Sequence, residues 1–200
     1  MKKIIKLMAI SGTMFAAGTT VLSTAIINQS SMKTVYAKAT KVTLGAGTYK
    51  VGKDIKHGRY TITAQSGSGN VTGSNDLNII LGDSTDDDLG QVDSYTMNLK
   101  SGAKVKIDGI EATDFTPVTK RSYQTNLKAG QWVVGKDIKP GRYTIKATAG
   151  SGNLISDEGI NEILGTGSDD DSGQVTKTTQ TLHRVEVLNS DLEGIQLIKK

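Results

Sequence analysis

Cysteine is missing from this 200-residue chain, proline occurs twice and histidine twice. Without cysteine there is no disulfide, no thiolate metal ligand, no cysteine nucleophile and no residue for lipid attachment. Two prolines exclude a proline-rich stalk. The histidines, His57 and His183, form no metal motif. An enzyme needs a nucleophile, base or metal set within mutual reach. Only carboxylates are left for that work, and no Asp/Glu pair is singled out for glycoside chemistry. The chain therefore reads as non-catalytic. It has no LPxTG sorting signal and no hydrophobic tail, since it closes on GIQLIKK. Release or non-covalent wall association is the expectation.

What is present begins with a leader. Lys2, Lys3 and Lys6 precede an uncharged run, Leu7–Ile27, and the segment ends in small residues. A basic start, an apolar middle and small residues at −3 and −1 mark a secretory signal peptide. Val35-Tyr36-Ala37 sets cleavage after Ala37, with Ala39 as the second choice. An uncleaved anchor is the alternative, but Ser, Thr and Gly dilute the run. The formal charge of +4 comes from 24 basic and 20 acidic residues. Residues 1–37 hold four lysines and no acid, so the rest of the chain is balanced. The basic pI belongs to the leader, and no basic face is implied for nucleic acid. No membrane partner is expected after cleavage.

The chain is written twice. VGKDIKHGRY at Val51–Tyr60 returns as VGKDIKPGRY at Val134–Tyr143. Leu44–Val92 aligns on Leu127–Val175 without a gap, about 29 of 49 positions being identical. Beyond that, a three-residue shift brings Lys104–Ile107 onto Arg184–Val187. The expected organisation is a leader to residue 37, one β-domain over 40–118, a joint at 119–121 and a second β-domain over 122–200. A single larger sandwich made of two incomplete halves is the alternative, because units this small are marginal alone.

Tyr60, Ile62 and Ala64 alternate with threonines, and Tyr143, Ile145 and Ala147 do the same. Period-two alternation is a half-buried strand. Glycine-rich turns recur every 8–12 residues, which predicts all-β architecture: two tandem antiparallel sandwich or jelly-roll domains. Lys139-Pro140-Gly141-Arg142 has the residues of a type II turn, with His57 replacing the proline in the first copy. His57 then reads as a surface turn residue. Asp54 and Asp137 are placed to accept nearby backbone N–H groups.

The set V-G-K-D-I-K-x-G-R-Y-T-I, G-S-G-N, N-x-I-L-G and G-Q-V resembles a small repeated β-domain of secreted and surface proteins from lactic acid bacteria and related Gram-positive organisms. The resemblance covers both copies and implies location and fold, not an activity. The ending Asp114–Val118 has no counterpart in copy two by sequence, which puts that copy's last strand in question.

Three groups could carry binding. Asp86 and Asp88, with Asp169 and Asp171, sit in glycine-bounded loops and could give two oxygens each to Ca²⁺, although the EF-hand pattern is missing. The alternative is a solvated loop, and no other cofactor is implied. Tyr49 and Trp132 occupy equivalent positions and could serve as sugar platforms, or as core. Lys53 and Arg59 recur as Lys136 and Arg142, and could meet an anionic wall polymer or guard a strand edge. The GSGN loops lack the Lys and Ser/Thr of a phosphate cradle. The expectation is a secreted binding protein for a wall glycan or anionic wall polymer, with a ligand-free spacer and a Ca²⁺-dependent adhesion module as alternatives.

Overall fold

The computed structural model describes residues 39–200. The leader, residues 1–37, lies outside the described residues. The all-β expectation holds: the described residues contain strands and turns and no helix.

The first copy runs β1 (Val42–Leu44), β2 (Gly47–Lys50), β3 (Gly58–Ser66), β4 (Ser68–Gly73), β5 (Asn78–Gly82), β6 (Gln91–Val92), β7 (Ser94–Leu99), β8 (Lys104–Asp108) and β9 (Ala112–Pro117). The second runs β10 (Asn126–Leu127), β11 (Gly130–Val133), β12 (Gly141–Ala149), β13 (Ser151–Ser156), β14 (Asn161–Gly165), β15 (Lys177–Leu182), β16 (Val187–Ser190) and β17 (Gly194–Lys199). Copy one forms two sheets, β1-β9-β3-β7 and β2-β8-β4-β5-β6. Copy two repeats the first order as β10-β17-β12-β15 and the second as β11-β16-β13-β14, with an isolated bridge of Val175 to Leu164 in place of β6.

Each copy encloses its own core. Tyr60, Ile62, Met97 and Phe115 of one sheet close on Val71, Leu81, Val105 and Ile107 of the other. Tyr143, Ile145, Ile195 and Leu197 close on Leu154, Leu164 and Leu188 in the second copy. Burying about ten such side chains at roughly 1.5–3 kcal/mol each is the main drive for each sandwich. The copies are also continuous. Edge strand β7 of the first pairs in parallel with edge strand β11 of the second, Gly130 opposite Thr96, which fuses a sheet from each copy into one of eight strands.

The opening phrase builds a turn, but about six residues earlier than its sequence suggests. The Lys50 carbonyl accepts Lys53 N at 3.1 Å and Asp54 N at 2.9 Å, and the Val133 carbonyl repeats this with Lys136 and Asp137. Gly52 (φ 96°) and Gly135 (φ 90°) take the left-handed conformation that glycine alone adopts cheaply. The Asp carboxylates close the turn as expected: Asp54 Oδ2 accepts Lys50 N at 2.8 Å and Asp137 Oδ2 accepts Val133 N at 2.9 Å. Gly58 and Gly141, read from sequence as the third turn position, instead begin β3 and β12 in extended form, with φ of 157° and 152°.

Those two glycines serve a ring. Tyr60 folds back over Gly58 and donates its hydroxyl to the Lys56 carbonyl at 2.8 Å; Tyr143 does the same to Lys139 at 2.9 Å. Tyr49 donates to the Gly45 carbonyl and Trp132 Nε1 to the Lys128 carbonyl, each four residues back. The pattern glycine-x-aromatic thus occurs four times with one geometry.

Two further readings need correction. The three-residue shift is unnecessary: Tyr49 pairs with Val105 and Trp132 with Leu188, so the offset of 83 persists through β8 and β16. The sequence hid this because Val185 (φ 71°) stands where Gly102 (φ 85°) turns the chain. Copy two also keeps its last strand. In β17, Leu197 faces Ile145 as Phe115 of β9 faces Ile62. Hydrophobicity at that position was retained while the residue type changed.

Candidate functional site

The junction of the two copies gathers the polar chemistry of the molecule. Gly130 lies against the β7 backbone so closely that a Cβ would sit 2.4 Å from the Thr96 carbonyl oxygen. Thr96 N donates to the Ala129 carbonyl at 3.1 Å. Ala129 itself packs into the core of the first copy.

Beside this contact Arg59 is buried, with 7% of its surface exposed. Its Nη2 lies 3.2 Å from Asp137 Oδ2 and donates to the Gln131 carbonyl at 2.9 Å. The guanidinium also lies over the Trp132 ring, 5.2 Å from its centre. Arg121 reaches the same carboxylate from the joint, its Nε donating to Asp137 Oδ1 at 2.7 Å and its Nη2 to Oδ2. Burial lowers the Arg59 pKa to about 10, against the pull of Asp137, with Arg121 lowering it further. Burial alone would raise the Asp137 carboxyl. The bonds from Arg121 and Val133 N, with both guanidinium charges, outweigh it and hold the pKa below the usual carboxylate value.

A cleft of about 300 Å³ opens here, lined by Arg59, Lys120, Arg121, Lys128, Trp132 and Asp137 among others. Four cations meet one carboxylate in its lining, and a second, Asp93, bonds Lys128 from alongside at 2.6 Å. Lys120 and Lys128 are exposed.

A second cleft of about 370 Å³ is also shared between the copies, lined by Asn70, Asn78, Tyr95, Asn153 and Asp191 among others. Tyr95 donates to Asn189 Oδ1 at 2.7 Å, and burial pushes its phenol upward. Burial likewise raises the Asp191 carboxyl, opposed by a hydrogen bond from Asn153. Glu193 is raised by burial and by the neighbouring Asp87 carboxylate of the other copy. One junction thus has a cationic cleft and an amide- and acid-lined one.

The expected site residues divide sharply. Arg59 and Trp132 come together, but across the junction and not within one copy. Both are buried, which corrects the reading of Arg59 as part of an exposed basic cluster. Tyr49 is half-buried, its hydroxyl bonded as above; Lys53, Lys136 and Arg142 are exposed.

The aspartate loops have a structural role. Asp86 Oδ1 accepts Asp88 N at 3.1 Å and Leu89 N at 3.3 Å, and Asp169 Oδ1 accepts Asp171 N at 3.1 Å. Behind them Gln91 folds across Gly82 and donates to the Ser84 carbonyl at 2.9 Å, while Gln174 folds across Gly165 and donates to the Gly167 carbonyl at 2.8 Å. This explains why N-x-I-L-G and G-Q-V travel together. Among the described residues no group of three or more His, Asp or Glu is arranged to hold a metal.

Asp137 and Arg121 were missed as site residues. The turn reading absorbed Asp137, and Arg121 looked like joint. The only available signal was an arginine one step before the second copy.

No family model, curated protein or solved structure matches this chain.

Proposed function

We propose that this is a secreted, non-catalytic surface protein that binds an anionic wall polymer in the cationic cleft between its two copies. The resemblance of its motifs to repeated β-domains of Gram-positive surface proteins supports the surface part of this reading. The observation that carries the reading is the cluster of Arg59, Lys120, Arg121 and Lys128 around a cleft of about 300 Å³. The charges of the chain outside the leader are balanced, so this local excess is a feature of the fold and not of composition. Clefts at unit boundaries are favoured ligand positions. Exposed lysines at such a rim add salt-sensitive attraction for polyanions.

The test is retention of the purified protein on isolated Gram-positive cell walls. Binding is expected at low salt, lost at high salt, indifferent to EDTA and weakened by the pair Lys120→Glu and Lys128→Glu. Retention that survives both high salt and the charge reversals would sink the proposal. Competition by neutral sugars in that case would move the site to the amide-lined cleft.

A further inference from the structure

The junction between the copies has two halves, and the molecule carries a spare of each. One half is the edge β7 with Arg59 on the adjoining β3. Its spare is the edge β15 with Arg142 on the adjoining β12: Thr179 faces Thr144 as Thr96 faces Thr61, and Arg142 replaces Arg59. The other half is the edge β11 with Trp132 and Asp137. Its spare is the edge β2, with Tyr49 and Asp54 in those places. Among the described residues, β15 and β2 each end their sheets with no strand on the outer side.

We propose that a second copy of this chain docks head to tail, the β15 edge of one molecule on the β2 edge of the next, repeating the β7–β11 junction. The pieces needed are in place. Asp54 is already held by Lys50 N in the way that Val133 N holds Asp137. Arg142 is exposed where Arg59 is buried, so it has a charge to offer and no burial cost until docking. Asp170 would approach Gly67 as Asp87 approaches Gly150, where a Cβ would lie 3.2 Å from the carboxylate. Where residues differ, charge complementarity is kept. Glu158 stands in the place of Asn75 and Lys106 in the place of Asn189, and those two asparagines line one cavity at the internal junction.

The intermolecular contact is weaker than its template. Tyr95, which bonds across the junction, becomes Thr178, and Asp93, which pairs with Lys128, becomes Thr176. Association is therefore reversible and concentration-dependent. The contact is heterologous, using different surfaces on the two partners, so it extends to open chains instead of stopping at a dimer. It does not depend on the polymer-binding reading: it uses Arg142, Tyr49 and Asp54, none of which lines the cationic cleft.

Sedimentation velocity over a range from micromolar to about millimolar protein tests this. The weight-average mass is expected to rise past two molecules without a plateau. Arg142→Glu, a change at an exposed position, is expected to hold the chain monomeric, weakening association at least about tenfold. The absence of native cysteine allows a second readout. Thr178→Cys chains mixed with Thr48→Cys chains, at the positions equivalent to Tyr95 and Gln131 on one face of the internal junction, are expected under mild oxidant to give almost only the mixed disulfide. A constant monomer mass, a plateau at two, indifference to Arg142→Glu, or a predominance of like-with-like disulfides would each overturn the proposal.

Discussion

Arg59 and Asp137 belong to different copies of the repeat and form a buried ion pair, Nη2 to Oδ2 3.2 Å apart. Neither is buried by its own copy's design. The equivalent Arg142 and Asp54 are exposed, so the junction is what buries them. A buried pair does not guarantee net stabilisation, but removing one partner strands the other. Asp137 would retain Arg121 as a counterion, which softens the loss. Arg59→Ala is expected to cost about 3 kcal/mol. It should also uncouple the copies, so that one calorimetric transition becomes two. A single undisturbed transition would show that the pair does not join them.

Gly130 supplies the other half of that joint. With the Thr96 carbonyl 2.4 Å from where a Cβ would stand, Gly130→Ala must separate β11 from β7. The expected result is faster amide exchange at Thr96 and Gln131, whose N–H groups face across the β7–β11 contact, with the interiors of β3 and β12 still protected. Slow exchange throughout would mean the backbone yields without losing the sheet.

Much of this architecture is legible from sequence and some is not, for identifiable reasons. Alternation around Tyr60 and Tyr143 exposes the strands because one face is buried and the other wet. Gly58 and Gly141 read as turn glycines because a Lys-Pro-Gly-Arg string also satisfies a type II turn; what separates the hook from that turn is a φ near 150°. The straight alignment through β16 was hidden by Val185, a residue that seldom tolerates φ 71°. The site was harder still. Arg59 looks identical to Arg142 in the repeated phrase, and only the pairing of β7 with β11 distinguishes a buried arginine from an exposed one. Repetition in sequence conceals what quasi-symmetric packing makes different.

That valine offers a prediction with a built-in reference. Val185 is largely exposed and adopts the left-handed conformation that Gly102 adopts in copy one. A β-branched residue there is strained by about 1 kcal/mol or more. It contributes little packing at an exposed position. Val185→Gly should therefore stabilise the protein by about 1 kcal/mol, read as a rise of a few degrees in Tm. A fall in Tm would mean that the valine packs against something that compensates its backbone.

Acid sensitivity follows from Asp114 and Asp137. Hydrogen bonds from Lys41 and Thr43 lead in drawing the Asp114 carboxyl down to about 2. Asp137 is also lowered. Both ionise more readily folded than unfolded, so their contribution is complete above the ordinary carboxylate value of ~4. It is withdrawn as the pH falls from there toward about 2. Asp191 runs the other way: its raised pKa means that folding holds its proton, and its ionisation at higher pH subtracts stability. Asp114→Asn should flatten the loss of stability between about pH 4 and pH 2. An unchanged slope would assign the acid limb to other carboxyls.

The pairing of Gly82 with Gln91 can be tested as a unit. A Cβ at position 82 would fall 2.2 Å from the Gln91 amide nitrogen, a distance no relaxed contact reaches. Gly82→Ala must then push the glutamine out of its place and break its bond to the Ser84 carbonyl. The cost is expected at about 2 kcal/mol, the sum of a lost hydrogen bond and local overpacking. Gln91→Ala alone leaves the Ser84 carbonyl without its donor and costs about 1 kcal/mol. Once Gln91 is gone, the methyl at position 82 has room, so the double variant should cost markedly less than the two single costs together. Equilibrium denaturation of the four proteins gives the coupling, and Gly165 with Gln174 provides the parallel cycle in the second copy. Additive costs in both cycles would mean that the glutamine is not what demands the glycine, and that the joint recurrence of the two motifs has another physical origin.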